Sequence, residues 1–197
     1  QHQTTPLNKL ALYAVYGYAN KTKRSEAKAL RNSIKESMYK WRDEHRLSST
    51  IMAGDINAAK WSYYDTDRPN ITNKWQLESD AESIAWLEMN LPIQDLFREK
   101  HPTVRAYTRQ PQGEKALTEA ARRIDQIWTS KEITNHPATR IGIRTKRTFT
   151  RKGSAETAAL EGDHLPVIAD LPIDCAGLAE GTTPTWTPCK ENLLRTK

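Results

Sequence analysis

Three short stretches carry residue types that could move a proton or hold a metal ion. The first is Gly54-Asp55-Ile56-Asn57, directly after the apolar run 50–53. An Asp and an Asn two residues apart at a strand end project into one loop mouth. There a carboxylate could orient a water and an amide could hold a phosphate oxygen or metal, while the glycine allows close backbone approach. Standing alone, the same four residues are equally an ordinary Asx turn. The second stretch, 123–128 (RIDQIW), alternates polar and apolar as a half-buried strand does, which puts Asp125 on the side of Arg123. By itself that arrangement reads more simply as a structural ion pair. The third is Asp163-His164-Leu165-Pro166, entering the last apolar strand. A carboxylate beside an imidazole joins a metal ligand to a group that titrates near neutrality.

The elements that must position these residues are legible from hydrophobic spacing. The run 10–16 (LALYAVY) is short and nearly continuous, which predicts a strand covered on both faces. Ala27, Leu30, Ile34, Met38 and Trp41 step by three or four residues, predicting a helix over about 25–45 with Ser25 as N-cap. Leu77, Ala81, Ile84 and Leu87 mark a second amphipathic helix, stopped at Leu91-Pro92. Further strands are predicted at 50–53, 104–108, 124–129, 138–144 and 166–171. Strands alternating with a few helices indicate an α/β or α+β sandwich. After Leu171 the composition turns to Pro, Gly and Thr, so the domain is expected to occupy 1–172 and a linker or flexible tail 173–197.

Composition bounds the rest. The 197 residues are 37% hydrophobic and 27% charged, the balance of a folded soluble chain, and no run of about 18 apolar residues exists to cross a membrane as a helix. The formal net charge of +6 favours an anionic partner. Arg140, Arg144, Lys146, Arg147, Arg151 and Lys152 lie in one acid-free stretch ahead of Asp163-His164, where they could follow a phosphate backbone or simply form a solvated loop. Cys175 and Cys189 are too few for a disulfide framework or a zinc site, so a reducing, intracellular compartment is expected. The chain opens with Gln1 and reaches its first methionine at Met38, which reads as a fragment, a processed product or an excised piece.

Taken together and in this order, G-D-x-N, R-I-D-x-I-W and D-H-x-P resemble the endonuclease/exonuclease/phosphatase superfamily. That superfamily includes the DNase I-like nucleases, the abasic-site endonucleases and the endonuclease domains of non-LTR retrotransposons. Val15-Tyr16-Gly17-Tyr18 is similar to its strand ending in an active-site tyrosine, with Tyr18 in place of the usual proline. Asp95-Leu96-Phe97-Arg98, His101-Pro102 and Tyr107-Thr108 resemble its D-x-[YFW]-R, H-P and [YF]-T stretch. The resemblance spans about residues 10–171. It implies a DNase I-like four-layer β-sandwich flanked by helices. The implied activity is a metal-dependent phosphodiesterase using Mg²⁺ or Mn²⁺, with nucleic acid, DNA first, as partner.

By the same resemblance, Asp55 would orient or deprotonate the attacking water, and Asn57 would fix it together with a phosphate oxygen. His164 would bind the phosphate, Asp125 would orient His164, Asp163 would be a metal ligand, and Tyr16 would lie near the phosphate or leaving group. Thr108 would shape the substrate groove. A complete domain of this family begins with strands bearing an Asn and a metal-binding Glu. The nine residues before Leu10 carry no such pattern, and Gly162 stands where many relatives have Ser. The expectation is therefore a C-terminal portion lacking its N-terminal strands, with weak metal binding, doubtful activity alone and an exposed sheet face. A nuclear location would follow if the source is a eukaryotic retroelement. The rival readings are a phosphoesterase of the same superfamily acting on RNA or phosphoinositide, and a truncated, non-catalytic nucleic-acid-binding remnant.

Overall fold

A computed structural model describes residues 10–18, 24–45, 49–59, 62–67, 74–144, 148–150, 157–159 and 163–172. Residues 1–9, the tail 173–197, Gly162 and the basic residues Lys146, Arg147, Arg151 and Lys152 lie outside them. A four-stranded sheet of order β1-β2-β4-β3 forms the centre, built from β1 (Leu10–Tyr16), β2 (Ser49–Asp55), β3 (Gln94–Asp95) and β4 (Asp125–Thr129). β1 runs parallel to β2, whereas β4 is antiparallel to both β2 and β3. The parallel pair is joined by helix α1 (Arg24–His45), the crossover that parallel strands require. α2 (Ser62–Asp65) and α3 (Lys74–Asn90) follow β2.

The two faces of this sheet meet different layers. On one face Met52 and Trp128, both wholly buried, pack with Met38 of α1, Ile84 and Leu87 of α3, and Tyr13 and Val15 of β1. Burying such side chains contributes about 1.5–3 kcal/mol each, and this is what holds the helices to the sheet. On the other face Ile127 packs with Leu96 and Phe97 of α4 (Leu96–Lys100), and with the antiparallel pair of β5 (Arg140–Ile143) and β8 (Val167–Asp170). The short helices α5 (Lys115–Thr118) and α6 (Lys131–Asn135) and the strands β6 (Thr148–Thr150) and β7 (Thr157–Ala159) complete the chain order. Among the described residues, no helix is long and apolar enough to cross a membrane.

Three expectations are corrected. The strand 10–16 is not covered on both faces: it is the sheet edge among the described residues, its burial alternates, and Leu12 is 70% exposed. Register with Ala53 and Ile127 puts Leu10, Leu12, Ala14 and Tyr16 on the second face. Residues 104–108 form no strand. The nearest isolated bridges fall just after them, at Arg109, with Arg122 and His164, and 104–108 themselves make only scattered backbone bonds such as Ala106 N–H to the Tyr64 carbonyl. Of the α1 stripe only Met38 is fully buried; Ala27, Leu30 and Ile34 are half-buried and Trp41 is half exposed. The other predicted strands and both helices are present, with ends displaced by a few residues.

Candidate active site

β2 ends where β4 begins, Asp55 opposite Asp125, and their register puts both carboxylates on the face away from α1 and α3. Gly54, just before, has φ 148°, and a Cβ there would stand 1.8 Å from the Val15 carbonyl oxygen. Only glycine lets β1 approach β2 this closely. The amide of Gly17 donates to the Asp55 carbonyl at 2.6 Å, so β1 is tied in beside the same loop.

The loop after β2 is an Asx turn and part of the site at once. The Asn57 N–H donates to Asp55 Oδ1 at 2.8 Å, and Asn57 Nδ2 donates to the Gly17 carbonyl at 2.8 Å. Asn57 sits at φ 53°, a left-handed conformation that Asn accepts more readily than most residues. Burial raises the Asp55 pKa above its ordinary value; the Asn57 N–H opposes that shift and the charge of Asp125 reinforces it. A carboxylate so placed is a stronger base than one in water.

His164 reaches this pair from a distant part of the chain. Its Nδ1 lies 2.9 and 3.1 Å from the two oxygens of Asp125, across a sequence separation of 39 residues. An imidazole that donates Nδ1–H to a carboxylate has its orientation and tautomer fixed, leaving Nε2 for other partners. Ligand atoms of Asp55, Asp125 and His164 all lie within 4.8 Å of one another. This acidic group could hold a metal ion, with Asp55 the carboxylate best placed for it because both oxygens of Asp125 face His164.

The reading of Asp125 as the ion-pair partner of Arg123 is settled against by what Arg123 binds. Its guanidinium donates from Nε to Asp65 at 2.7 Å and from Nη2 to Asp95 at 2.5 Å, and it is 1% exposed. Burial disfavours its charge, but Asp95 and Asp65 outweigh that and raise its pKa. Asp95 also caps α4 by accepting from the Phe97 and Arg98 N–H groups. Arg98 joins the cluster through Asp65 and through the carbonyls of His101 and Val104.

The remaining candidates separate. Tyr16 is 74% exposed beside Asp55 in register, so it is no core aromatic. Asp163 is paired with Arg109, Nε to Oδ2 at 2.8 Å, and lies 3.7 Å from His164 Nε2. Arg144 is exposed after β5. Thr108 is a correction: its side chain is 0% exposed and cannot line a groove, because Oγ1 accepts from the N–H groups of Ile124 and Asp125. Sequence reasoning missed Arg109 and Asp65 altogether; neither stands in a motif or a periodic pattern, so nothing local marks them.

No protein-family model matches the sequence, and no curated protein matches it. Solved structures do match. The 3'-5' exonuclease NExo from Neisseria meningitidis superposes with a TM-score of 0.59 at 20% identity, over 81% of this chain and 60% of that one. The Xenopus laevis APE2 catalytic domain gives 0.57 at 20% identity, over 82% and 49%. An AP endonuclease from Archaeoglobus fulgidus gives 0.54 at 18% identity, over 83% and 62%. The chain has the DNase I-like α/β fold. It spans about three-fifths or less of the length of these structures, and at such identities the likeness establishes architecture alone.

Proposed function

We propose that this chain carries the catalytic residues of a divalent-metal-dependent phosphodiesterase that cleaves DNA, with endonucleolytic cutting as the leading activity. The observation that carries the reading is the Asp125–His164 pair facing Asp55 at the joint end of β2 and β4. A carboxylate with a raised pKa, set across from an oriented imidazole, is what in-line attack on a phosphodiester requires of a protein: a base for the water and a donor for the phosphate oxygens. In support, one matching structure is the 3' phosphatase NExo from Neisseria bound to product DNA hairpin, and others are AP endonucleases.

In this reading Asp55 orients and deprotonates the attacking water, and Asn57 fixes the loop that presents it. Once protonated, His164 would donate from Nε2 to the phosphate, while Asp125 holds the ring in place through Nδ1–H. Tyr16, open on the same face, flanks the phosphate or the leaving group. The donor set suits a hard divalent cation such as Mg²⁺ or Mn²⁺, with Asp55 as a carboxylate ligand and Asp163 as a second once Arg109 releases it. Such an ion would neutralise charge on the scissile phosphate. Arg144 and the basic residues Lys146, Arg147, Arg151 and Lys152 would follow the backbone on either side.

The test is cleavage of supercoiled plasmid, of a duplex with one abasic site and of a 3'-phosphorylated duplex, with Mg²⁺ and with EDTA. It is run on this chain and on the longest natural protein containing it. Metal-dependent strand cleavage lost in His164→Ala is the expected result. Release of 3'-phosphate without strand cleavage would replace the endonuclease by a phosphomonoesterase. No metal-dependent product from any substrate would remove the catalytic reading.

A further inference from the structure

Asp125 and His164 come from segments that share no strand ladder. β8, which follows His164, is hydrogen-bonded to β5, while β4, which begins at Asp125, is bonded to β2 and β3. Something else must set the distance between them. Thr108 touches both sides. Its buried Oγ1 accepts from the N–H of Ile124 at 3.0 Å and of Asp125 at 2.9 Å. Its carbonyl accepts from the Leu165 N–H at 2.5 Å, and its own N–H donates to the Arg122 carbonyl at 3.0 Å. Successive N–H groups in a regular strand point to opposite edges, so two of them converging on one hydroxyl mark a bend in the chain where β4 begins.

We propose that Thr108 is the positioning residue of the site: one hydroxyl oxygen, gripping two consecutive amides, sets where Asp125 meets His164. Arg109 reinforces the joint from the next position. It exchanges backbone hydrogen bonds with Arg122 at 2.8 Å each, pairs with His164 as an isolated bridge, and holds Asp163 at 2.8 Å. The dipeptide 108–109 therefore clamps the Asp163–Leu165 segment to the start of β4. The hydroxyl rather than the shape does the work, since serine keeps the acceptor whereas valine matches the shape and has none. The inference rests on reading Asp125–His164 as the working pair, and is tested so that the two can fail separately.

The full chain, with ¹⁵N-labelled histidine, is compared as wild type, Thr108→Ser and Thr108→Val. The His164 ring signals are identified by their loss in His164→Ala. Two-bond couplings from the carbon-bound ring protons report the tautomer without needing slow exchange. Wild type and Thr108→Ser should show the Nδ1–H tautomer that the Asp125 contact requires. Thr108→Val should shift toward the distribution of free imidazole while the Trp128 Nε1–H signal, bonded to Gln126 in the core, stays in place. On a cleavable substrate, Thr108→Val should lower kcat about 10–100-fold with KM changed less than about twofold. Should Thr108→Val not fold, Thr108→Cys, a weaker acceptor of similar volume, is read in the same way. A wild-type tautomer in the folded Val or Cys variant overturns the proposal, as does its loss in Thr108→Ser or its absence from wild type. If no substrate is cleaved by wild type the proposed function fails, and the tautomer comparison still decides the role of Thr108.

Discussion

Arg123 and Asp125 stand two residues apart in the sequence, yet their surroundings are opposite. Arg123 is sealed between Asp65 and Asp95, with Arg98 closing the far side, so that two cations and two carboxylates neutralise one another out of water. Asp125 opens outward to a half-exposed His164 and to Asp55, whose charge is disfavoured by burial and by Asp125 itself. A buried charge with every donor and acceptor matched holds geometry, because any rearrangement strands an uncompensated ion. A charge left with partners to spare can meet a substrate. The closed cluster adjoins the open one through the backbone of 123–125, the kind of support a catalytic constellation held within fractions of an ångström requires.

The contrast predicts that the two clusters fail differently. The largest effect is expected from Arg123→Leu, which leaves Asp65 and Asp95 buried without their cation. It should cost about 3–5 kcal/mol in urea denaturation, a large part of a typical domain's stability of about 5–15 kcal/mol. An equal cost from Asp125→Ala would erase the distinction. Next, His164→Ala should lower kcat about 10²–10⁴-fold and move stability by no more than about 0.5 kcal/mol. A large loss of stability would make His164 a structural residue.

Acid titration separates the clusters further. Burial pushes the Asp65 pKa up, but Arg123 and Arg98 outweigh it and hold it below the ordinary value. The stability Asp65 contributes is thus complete above the unfolded value of about 3.9 and is lost as pH falls through its depressed folded value. Unfolding free energy followed against pH should drop below about pH 4, and Asp65→Asn should remove part of that drop. Asp55 has the opposite sign. Its folded pKa is raised, so its charge opposes folding above that value and the penalty disappears below the unfolded one. The smallest effect follows: Asp55→Asn should slightly raise the melting temperature at pH 7 while abolishing cleavage, with the gain vanishing near pH 3. A lowered melting temperature at pH 7 would show that Asp55 belongs with the matched charges.

How much of this could be read beforehand depended on range along the chain. The helices were legible because a stripe repeating every three or four residues is a local property, and Met38, Ile84 and Leu87 are buried as that pattern required. The turn at Gly54-Asp55-Ile56-Asn57 was legible because its donor and acceptor lie two residues apart. Residues 104–108 misled: their apolar and polar order suits a strand, but a strand exists only beside a partner strand, and here the backbone bonds go singly to Tyr64, Arg122 and Leu165 of distant segments.

The sequence by itself determined which side chains were available and which local shapes they favoured: an Asx turn after a strand, an alternating segment through Asp125, an Asp-His pair before the last strand. Their pairing was decided only by the tertiary structure. Arg123 could have bound Asp125, two residues away, but it binds Asp65 across 58 residues, which frees Asp125 for His164 across 39. Thr108 could have faced a groove but is buried as a hydrogen-bond acceptor for β4. A side chain's alternatives in sequence differ little in intrinsic energy. Burial makes every unmatched polar group costly, so one pairing is selected from the many that composition permits.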